Sequence, residues 1–224
     1  MGMGNVKYWG RMWLEYMGAV MGIALALMLF FAGGRVIYPG DGINGIWKTI
    51  CVFYPTYLVL SAFFIFSIGT ISSFQTYLPV LVSLNATRRE SVWGILGYNA
   101  GSVMAITAVI ALFWMMPSSE VGNVTELLLL ISGILLMFSG ASVLMGAVVG
   151  RLGKKGVIIF IIFCAVFGGI FGGMAAITAQ KPGDFLLDFL MNFQPLWAFI
   201  LGIGVYVLAG AAAMMLVRKM EVRV

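Results

Sequence analysis

The feature that most constrains this chain is a series of six long apolar runs with no charged side chain at their centres. A helix of about 20 residues crosses the hydrocarbon of a bilayer. The runs are continuous, whereas the strands of an outer-membrane barrel alternate apolar with polar residues. Only helices and closed barrels satisfy every backbone group in lipid. The sequence therefore predicts an all-α membrane protein with one transmembrane domain over residues 1–224. The predicted spans are 16–34, 50–71, 91–115, 126–149, 157–179 and 195–217.

Composition supports a membrane location and excludes several kinds of chemistry. Only 9% of the residues are charged and the mean hydropathy is +1.07, whereas a soluble domain carries about 25% charged residues. The chain has no His, so His-ligated haem, Ser-His or Cys-His catalytic pairs and HExxH zinc sites are excluded. The nearest match to a P-loop, at 150–155, lacks both the first Gly and the Ser or Thr after Lys154. We therefore expect no enzyme activity, cofactor or metal site in this chain.

The basic residues predict an orientation. Six spans put both termini on one side of the membrane. Of the 13 Lys and Arg residues, Arg35, Lys48 and Lys181 fall in the opposite segments, and the remaining ten fall on the side of the termini. Basic residues accumulate on the cytoplasmic side. The sequence thus predicts a multi-pass protein of the cytoplasmic (inner) membrane with both termini in the cytoplasm.

No ionisable residue lies in the middle of a predicted span. Such residues are costly in lipid and usually mark proton relays or ion sites, so their absence argues against proton-coupled transport. The longest predicted cytoplasmic segment, 72–90, is too short to be an ATPase domain. The protein is therefore expected either to be passive or to take its energy from a partner.

The segment 72–90, between the second and third spans, carries the most informative pattern. Pro79 suits the first turn of a helix, where its missing N–H is harmless. Asn85 suits the left-handed position just past a helix end. Together they predict a short cytoplasmic helix over 79–84.

The residues after this helix predict how the third span begins. Thr87 and Glu90 have the spacing of a capping box, in which each side chain bonds to the backbone N–H of the other residue. Arg88 and Arg89 then fall in the first turn, where each cation opposes the helix dipole at a cost of about 0.3–1 kcal/mol. An anionic lipid headgroup or a carboxylate on a cytoplasmic partner would offset that cost.

This stretch resembles the coupling helix of ABC-2-type permeases, the membrane subunits of type V (ABCG-like) ATP-binding-cassette transporters. In that family a short cytoplasmic helix after the second span ends in Gly or Asn, and a small residue, Thr, Arg and Arg or Lys follow before a long third span. Here Asn85 stands where the family usually has Gly. The number of spans, the cytoplasmic termini, a helix before the first span and a longer outer segment before the sixth extend the resemblance to nearly the whole chain.

The resemblance implies a permease subunit of an ATP-driven exporter. Its implied partners are a second permease subunit, either another copy or a paralogue, and two copies of a separate ATPase that binds ATP and Mg²⁺. Membrane lipid is a further expected partner, and nucleic acid is not. The resemblance assigns the contact with the ATPase to Leu78, Pro79, Leu81, Val82, Ser83, Asn85, Thr87, Arg88, Arg89 and Glu90.

Two short amphipathic segments flank the predicted spans. In 5–15, Lys7, Arg11 and Glu15 share one helical face and aromatic residues another, which predicts an interfacial helix with its aromatics at headgroup depth. This helix is either a plain anchor or the connecting helix of the family, which also touches the ATPase. The segment 184–194 is too short to span and predicts an outer helix that is interfacial or, as in family members, re-entrant.

A few polar side chains in the second and third spans lie at membrane depth. They either line a translocation path between two subunits or bond neighbouring helices, and bonding between helices is the favoured interpretation. The scarcity of such groups indicates an amphipathic or hydrophobic cargo, with a peptide or drug as the proposed class. The candidate path residues are Tyr54, Tyr57, Ser61, Tyr98, Asn99 and Ser102.

Pairs of glycines four residues apart predict close helix contacts. Gly18 and Gly22 form such a pair in the first span, and two more pairs lie within 168–173. Packing within one chain is favoured over a dimer contact.

Two other functions stay open. The size and Gly content also fit the six-span vitamin-capturing subunit of an energy-coupling-factor importer, which would hold a small molecule near its outer face. A membrane scaffold without transport activity fits as well.

Overall fold

The computed structural model describes residues 3–32, 42–83, 87–116, 123–162, 164–165 and 194–218. These residues contain helices and no strand. The helices are α1 (Met3–Ala32), α2 (Gly42–Ser72), α3 (Leu78–Ser83), α4 (Arg88–Trp114), α5 (Val124–Leu152) and α6 (Pro195–Arg218). A π-helix at Ser73–Tyr77 joins α2 to α3, and residues 154–162 are also helical.

Five helical segments among the described residues are long and apolar enough to cross a membrane. The predicted all-α, multi-pass class agrees with this result. The predicted span 157–179 is helical at 157–162 and continues mostly outside the described residues. The predicted outer helix at 184–194 lies outside them except for its last residue. The five segments are Gly10–Phe30, Phe53–Val82, Arg88–Trp114, Val124–Leu152 and Pro195–Arg218.

The most extensive contact among the described helices is between α5 and α6, and glycines make it possible. A Cβ added to Gly133 would lie 2.5 Å from the carbonyl oxygen of Ala198. A Cβ added to Gly202 would lie 2.5 Å from the carbonyl oxygen of Gly133. Small residues allow helix backbones to approach closely in lipid, where van der Waals packing drives association. Only Gly fits at these two positions without moving a backbone.

The glycines singled out by sequence behave differently. Gly18 and Gly22 on α1 are exposed, and a Cβ at either would meet nothing within 4 Å. The pairs within 168–173 lie outside the described residues. The close contact instead uses Gly133 and Gly202 on two different helices, which a search for repeats within one span does not find.

Two clusters of buried apolar side chains hold the bundle together. The turn cluster lies beside the connection between α3 and α4, and the far cluster lies along α1, α2 and α4 further from that connection. The turn cluster consists of Met12, Phe74, Leu78, Leu81, Val92, Ile95, Leu96, Tyr98, Val143, Ala147, Ala213 and Val217. The far cluster consists of Met17, Val20, Ala24, Met28, Tyr54, Leu58, Ala62, Phe66, Val103, Ile106, Ile110 and Leu135.

Candidate functional site

The short helix α3 follows the second span without a break. Its bounds, Leu78–Ser83, lie within one residue of the predicted 79–84. The sequence predicted a helix separate from the span, whereas the structure joins the two through the π-helix Ser73–Tyr77. The backbone N–H of Leu78 donates to the carbonyl oxygen of Ser73, five residues earlier.

Pro79 accounts for the π-helix. Proline has no N–H, and in an α-helix its ring clashes with the carbonyl four residues earlier, which here belongs to Gln75. A π-helical turn is wider than an α-helical turn and commonly occurs where the regular hydrogen-bond ladder is interrupted. The widened turn therefore lies where the proline disturbs the helix.

The side chains of α3 divide into a buried face and an exposed face. Leu78 and Leu81 are buried in the turn cluster, and Val82 is packed against it. Val80 is 45% exposed. The buried face attaches α3 to α4 and α6, which contribute to the same cluster, and Val80 marks the exposed face. Among the predicted contact residues, Asn85 and the side chain of Ser83 lie outside the described part of the chain.

The π-helix is locked against α5. Ser73 and Phe74 are buried, and the hydroxyl of Ser73 donates to the carbonyl oxygen of Gly69 at 2.7 Å. A Cβ added to Gly146 of α5 would lie 2.6 Å from Cδ2 of Phe74. The aromatic ring therefore fills the space that a larger residue in α5 would occupy.

The predicted capping box at the start of α4 is confirmed. Thr87 is extended, with φ −70° and ψ 146°. The N–H of Glu90 donates to Oγ1 of Thr87 at 3.2 Å, and the N–H of Thr87 donates to Oε2 of Glu90 at 3.1 Å. The Thr87 hydroxyl also donates to that carboxylate at 2.9 Å. The box satisfies backbone donors that the first turn of a helix otherwise leaves unpaired.

Thr87→Ala is expected to lower the stability of the protein by about 1 kcal/mol, because the N-cap hydrogen bond is lost. Asn123→Ala is the matched control, since Asn123 occupies the N-cap of α5 but makes no side-chain capping hydrogen bond. Unfolding of the two purified variants in detergent measures the difference. Equal stability of the two variants would contradict a stabilising role for the box.

Three arginines surround a small cavity beside the capping box. Arg88 and Arg89 come from the first turn of α4, and Arg218 comes from the last turn of α6. The cavity has a volume of about 80 Å³ and is also lined by Val92, Met214 and Val217. The sequence linked the first two arginines to the turn. It gave no sign that Arg218, far along the chain, would join them.

The start of α1 packs on the bundle. Arg11 and Glu15 form an exposed ion pair at 3.1 Å. Met12 is buried, and the ring of Tyr16 meets that of Tyr98 edge to face, with 5.7 Å between centroids. Part of the α1 face that was predicted to lie at headgroup depth therefore packs against the helix bundle. Lys7 lies in α1, and its side chain is outside the described part of the structure.

The candidate path residues of α4 are held by hydrogen bonds inside the bundle. Asn99 is fully buried, and its amide donates to Oγ1 of Thr70 at 3.4 Å. The hydroxyl of Ser102 donates to the carbonyl oxygen of Tyr98 at 2.9 Å. The bond of Asn99 joins α4 to α2, whereas that of Ser102 lies within α4.

The candidate path residues of α2 lie in or against the far cluster. The ring of Tyr54 packs on Phe113 with 4.9 Å between centroids, and Tyr57 is half-buried. The buried hydroxyl of Ser61 is 3.2 Å from the carbonyl oxygen of Val20 and 2.9 Å from that of Leu58. A path between two subunits involves a second chain, so that role stays a prediction.

A larger apolar groove of about 430 Å³ lies between α4 and α5, next to Phe199 of α6. Its polar groups include Thr107, Thr125 and Ser132. Oγ1 of Thr107 is buried and has no hydrogen-bond partner among the described residues. The sequence did not single out this groove, because its lining comes from three helices and carries little polarity.

Comparison of this chain with models of known protein families, with curated proteins and with solved structures finds no match. Among the described residues, no group of three or more His, Cys, Asp or Glu residues could hold a metal ion.

Proposed function

We propose that this chain is the permease subunit of an ATP-driven exporter and that a separate ATPase contacts it at α3 and the turn before α4. The observation that carries this proposal is the construction of α3. It is a short helix at the end of the second span with a buried face in the bundle and an exposed face at Val80. A capped start of the next span follows within a few residues.

The packing of α3 supports a role in transmitting a movement of the partner to the other helices. Leu78 and Leu81 share the turn cluster with residues of α4, α5 and α6. The π-helix before α3 packs tightly on α5 through Phe74 and Gly146. Because protein interiors are close-packed, a displaced side chain displaces its neighbours. A partner that moves α3 would therefore move three other spans.

In this proposal the energy comes from the partner, because the P-loop match at 150–155 is incomplete. Two permease subunits, as two copies or as paralogues, would pair with two ATPase subunits that bind ATP and Mg²⁺. The complex would lie in the cytoplasmic membrane with the termini and the turn after α3 in the cytoplasm. These assignments rest on the family resemblance and on the distribution of basic residues.

The proposed cargo is an amphipathic or hydrophobic molecule such as a peptide or drug. The groove between α4 and α5 supports this class, since it is lined mainly by apolar side chains and contains a few hydroxyl groups, including that of Thr107. Ligand sites are commonly apolar with a small number of polar groups that orient the ligand.

The central test is co-expression of the tagged chain with a P-loop ATPase encoded beside it. The proposal expects a purified complex with two ATPase and two permease subunits. It also expects ATP-dependent accumulation of labelled apolar peptides or dyes in inverted vesicles. A chain that purifies without an ATPase and carries a stoichiometric vitamin in mass spectrometry would overturn the proposal in favour of an importer subunit. An encoded ATPase that never associates with the chain would also overturn it.

A further inference from the structure

We propose that Arg151, Lys154 and Lys155 form a binding surface for the headgroups of anionic phospholipids. The observation is a tight corner between α5 and the helical segment 154–162, at which all three side chains are exposed. No ion pair joins any of the three to another residue in the described part of the chain. This inference requires only that the chain is embedded in a membrane, and it stands or falls separately from the exporter proposal.

Two glycines build the corner. Gly153, directly after the end of α5, has a φ of 57°, which residues with a side chain rarely adopt. Its N–H donates to the carbonyl oxygen of Val149 at 2.9 Å. A Cβ added to Gly156 would lie 2.6 Å from Cα of Val149 and 2.9 Å from the carbonyl oxygen of Val148. The start of the segment 154–162 is therefore packed directly on the backbone of α5, and this packing holds the three basic residues at one turn.

The length of α5 places the corner at the depth of the lipid headgroups. Its 29 residues extend about 44 Å, whereas the hydrocarbon is about 30 Å thick and the bilayer with its headgroups about 40–45 Å. Glu126 in the first turn and Arg151 in the last turn mark the two charged ends. The basic residues predict that the end with Arg151 is cytoplasmic. The cytoplasmic leaflet is the one that carries anionic lipids.

The charges at the corner favour an anionic ligand. Three cations within five residues repel one another, and the sequence has no acidic residue between Glu126 and Asp184. Lys154 and Lys155 also lie at the start of a helical segment, where the positive end of the helix dipole makes a cation unfavourable. Lipid phosphates would offset both effects, since each basic residue near an anionic membrane surface contributes about 1 kcal/mol to the attraction.

The side chains beside the three cations favour a lipid over an acidic protein. Leu152 is 45% exposed next to Arg151, and Val157 and Ile158 are exposed on the segment that follows the corner. At the boundary between headgroups and acyl chains, phosphates can contact the cations while methylene groups cover the apolar side chains. The acidic surface of a soluble partner would match the cations and leave the apolar side chains uncovered. The corner therefore combines the two properties of a surface that binds anionic lipid.

The test is native mass spectrometry of the full-length chain in mild detergent, titrated with phosphatidylglycerol or phosphatidylcholine. We expect phosphatidylglycerol to bind more tightly than phosphatidylcholine. Because each basic residue contributes about 1 kcal/mol, Arg151→Gln should weaken the binding of phosphatidylglycerol about fivefold. Lys154→Gln combined with Lys155→Gln should weaken it on the order of 25-fold.

Arg11→Gln is the matched control for Arg151→Gln. Arg11 is also an exposed arginine on a helix, but its guanidinium is already paired with the carboxylate of Glu15 at 3.1 Å. Arg11→Gln should bind phosphatidylglycerol as the unmodified chain does. Arg151→Gln changes a single exposed side chain, so a folding defect in the double lysine variant would not remove the test.

Three results would overturn the proposal. Equal losses for Arg151→Gln and Arg11→Gln would indicate an effect of general surface charge. Equal binding of phosphatidylglycerol and phosphatidylcholine would exclude recognition of the anionic headgroup. Unchanged lipid binding by the double lysine variant, together with the loss of a co-purified protein, would assign the corner to an acidic protein partner instead.

Discussion

Gly202→Val is expected to prevent the normal packing of α5 on α6 and to leave little folded protein. The Cβ of any residue other than Gly would lie 2.5 Å from the carbonyl oxygen of Gly133 and 2.9 Å from its Cα. The obstructing atoms are backbone, which cannot turn away as a flexible side chain can. Overpacking usually costs about 1–3 kcal/mol. Separation of the two backbones would also remove the close contact that holds this pair in lipid, so the loss should reach the upper end of that range or exceed it.

Gly204→Val is the control for this experiment. Gly204 lies two residues further along the same helix, is exposed, and has nothing within 4 Å of its Cβ position. Gly204→Val introduces the same side chain as Gly202→Val, with the same change in helix propensity. Thermal unfolding followed by size-exclusion chromatography in detergent should show a large loss for Gly202→Val and little change for Gly204→Val. Equal behaviour of the two variants would refute the tight contact between α5 and α6.

Leu81→Glu and Val80→Glu are expected to affect folding differently. Leu81 is 4% exposed and belongs to the turn cluster, whereas Val80 is 45% exposed. Burial of an unpaired carboxylate costs several kcal/mol even after the surroundings relax. Leu81→Glu should therefore unfold the turn cluster or displace α3. A loss of transport in that variant would report on folding and would say nothing about contact with an ATPase.

Val80→Glu is the informative variant for the proposed function. The side chain points away from the turn cluster, so the protein should fold as before, and the new charge should weaken an apolar contact with a partner. We expect ATP-driven transport to fall at least about tenfold, which corresponds to the loss of about 1.4 kcal/mol at the contact. Thermal unfolding of the variant checks that it folds, and the yield of the ATPase complex measures the contact with the partner. Normal transport with a normal complex would exclude the exposed face of α3 as the coupling surface.

Local features of the fold could be predicted from sequence. The hydrophobic runs predicted helical spans because length and lack of charge suffice for that inference. The capping box of Thr87 and Glu90 was correctly predicted because its hydrogen bonds join residues three positions apart. The bounds of α3 were also close, since Pro79 constrains the backbone through its own ring.

Features that depend on distant segments could not be predicted. The contact of Gly133 with Gly202 and the approach of Arg218 to Arg88 depend on how spans far apart in the chain pack. The continuity of α2 with α3 was missed for a different reason. Pro79 was interpreted as a helix start, but a π-turn can absorb a proline inside a helix.

The five-residue π-helix also determines which face of α3 is turned toward the bundle. A helix advances about 100° per residue around its axis, so one extra residue in a turn rotates everything after it by about that angle. Without the widened turn, the surface that now carries Val80 would be offered by a neighbouring residue, and Leu81 would leave the interior. The rotation of α3 about its own axis is thus set by the π-helix that precedes it. Deletion or insertion of a single residue between 72 and 78 would rotate α3 by about 100° and expose part of its buried face, while leaving its composition intact.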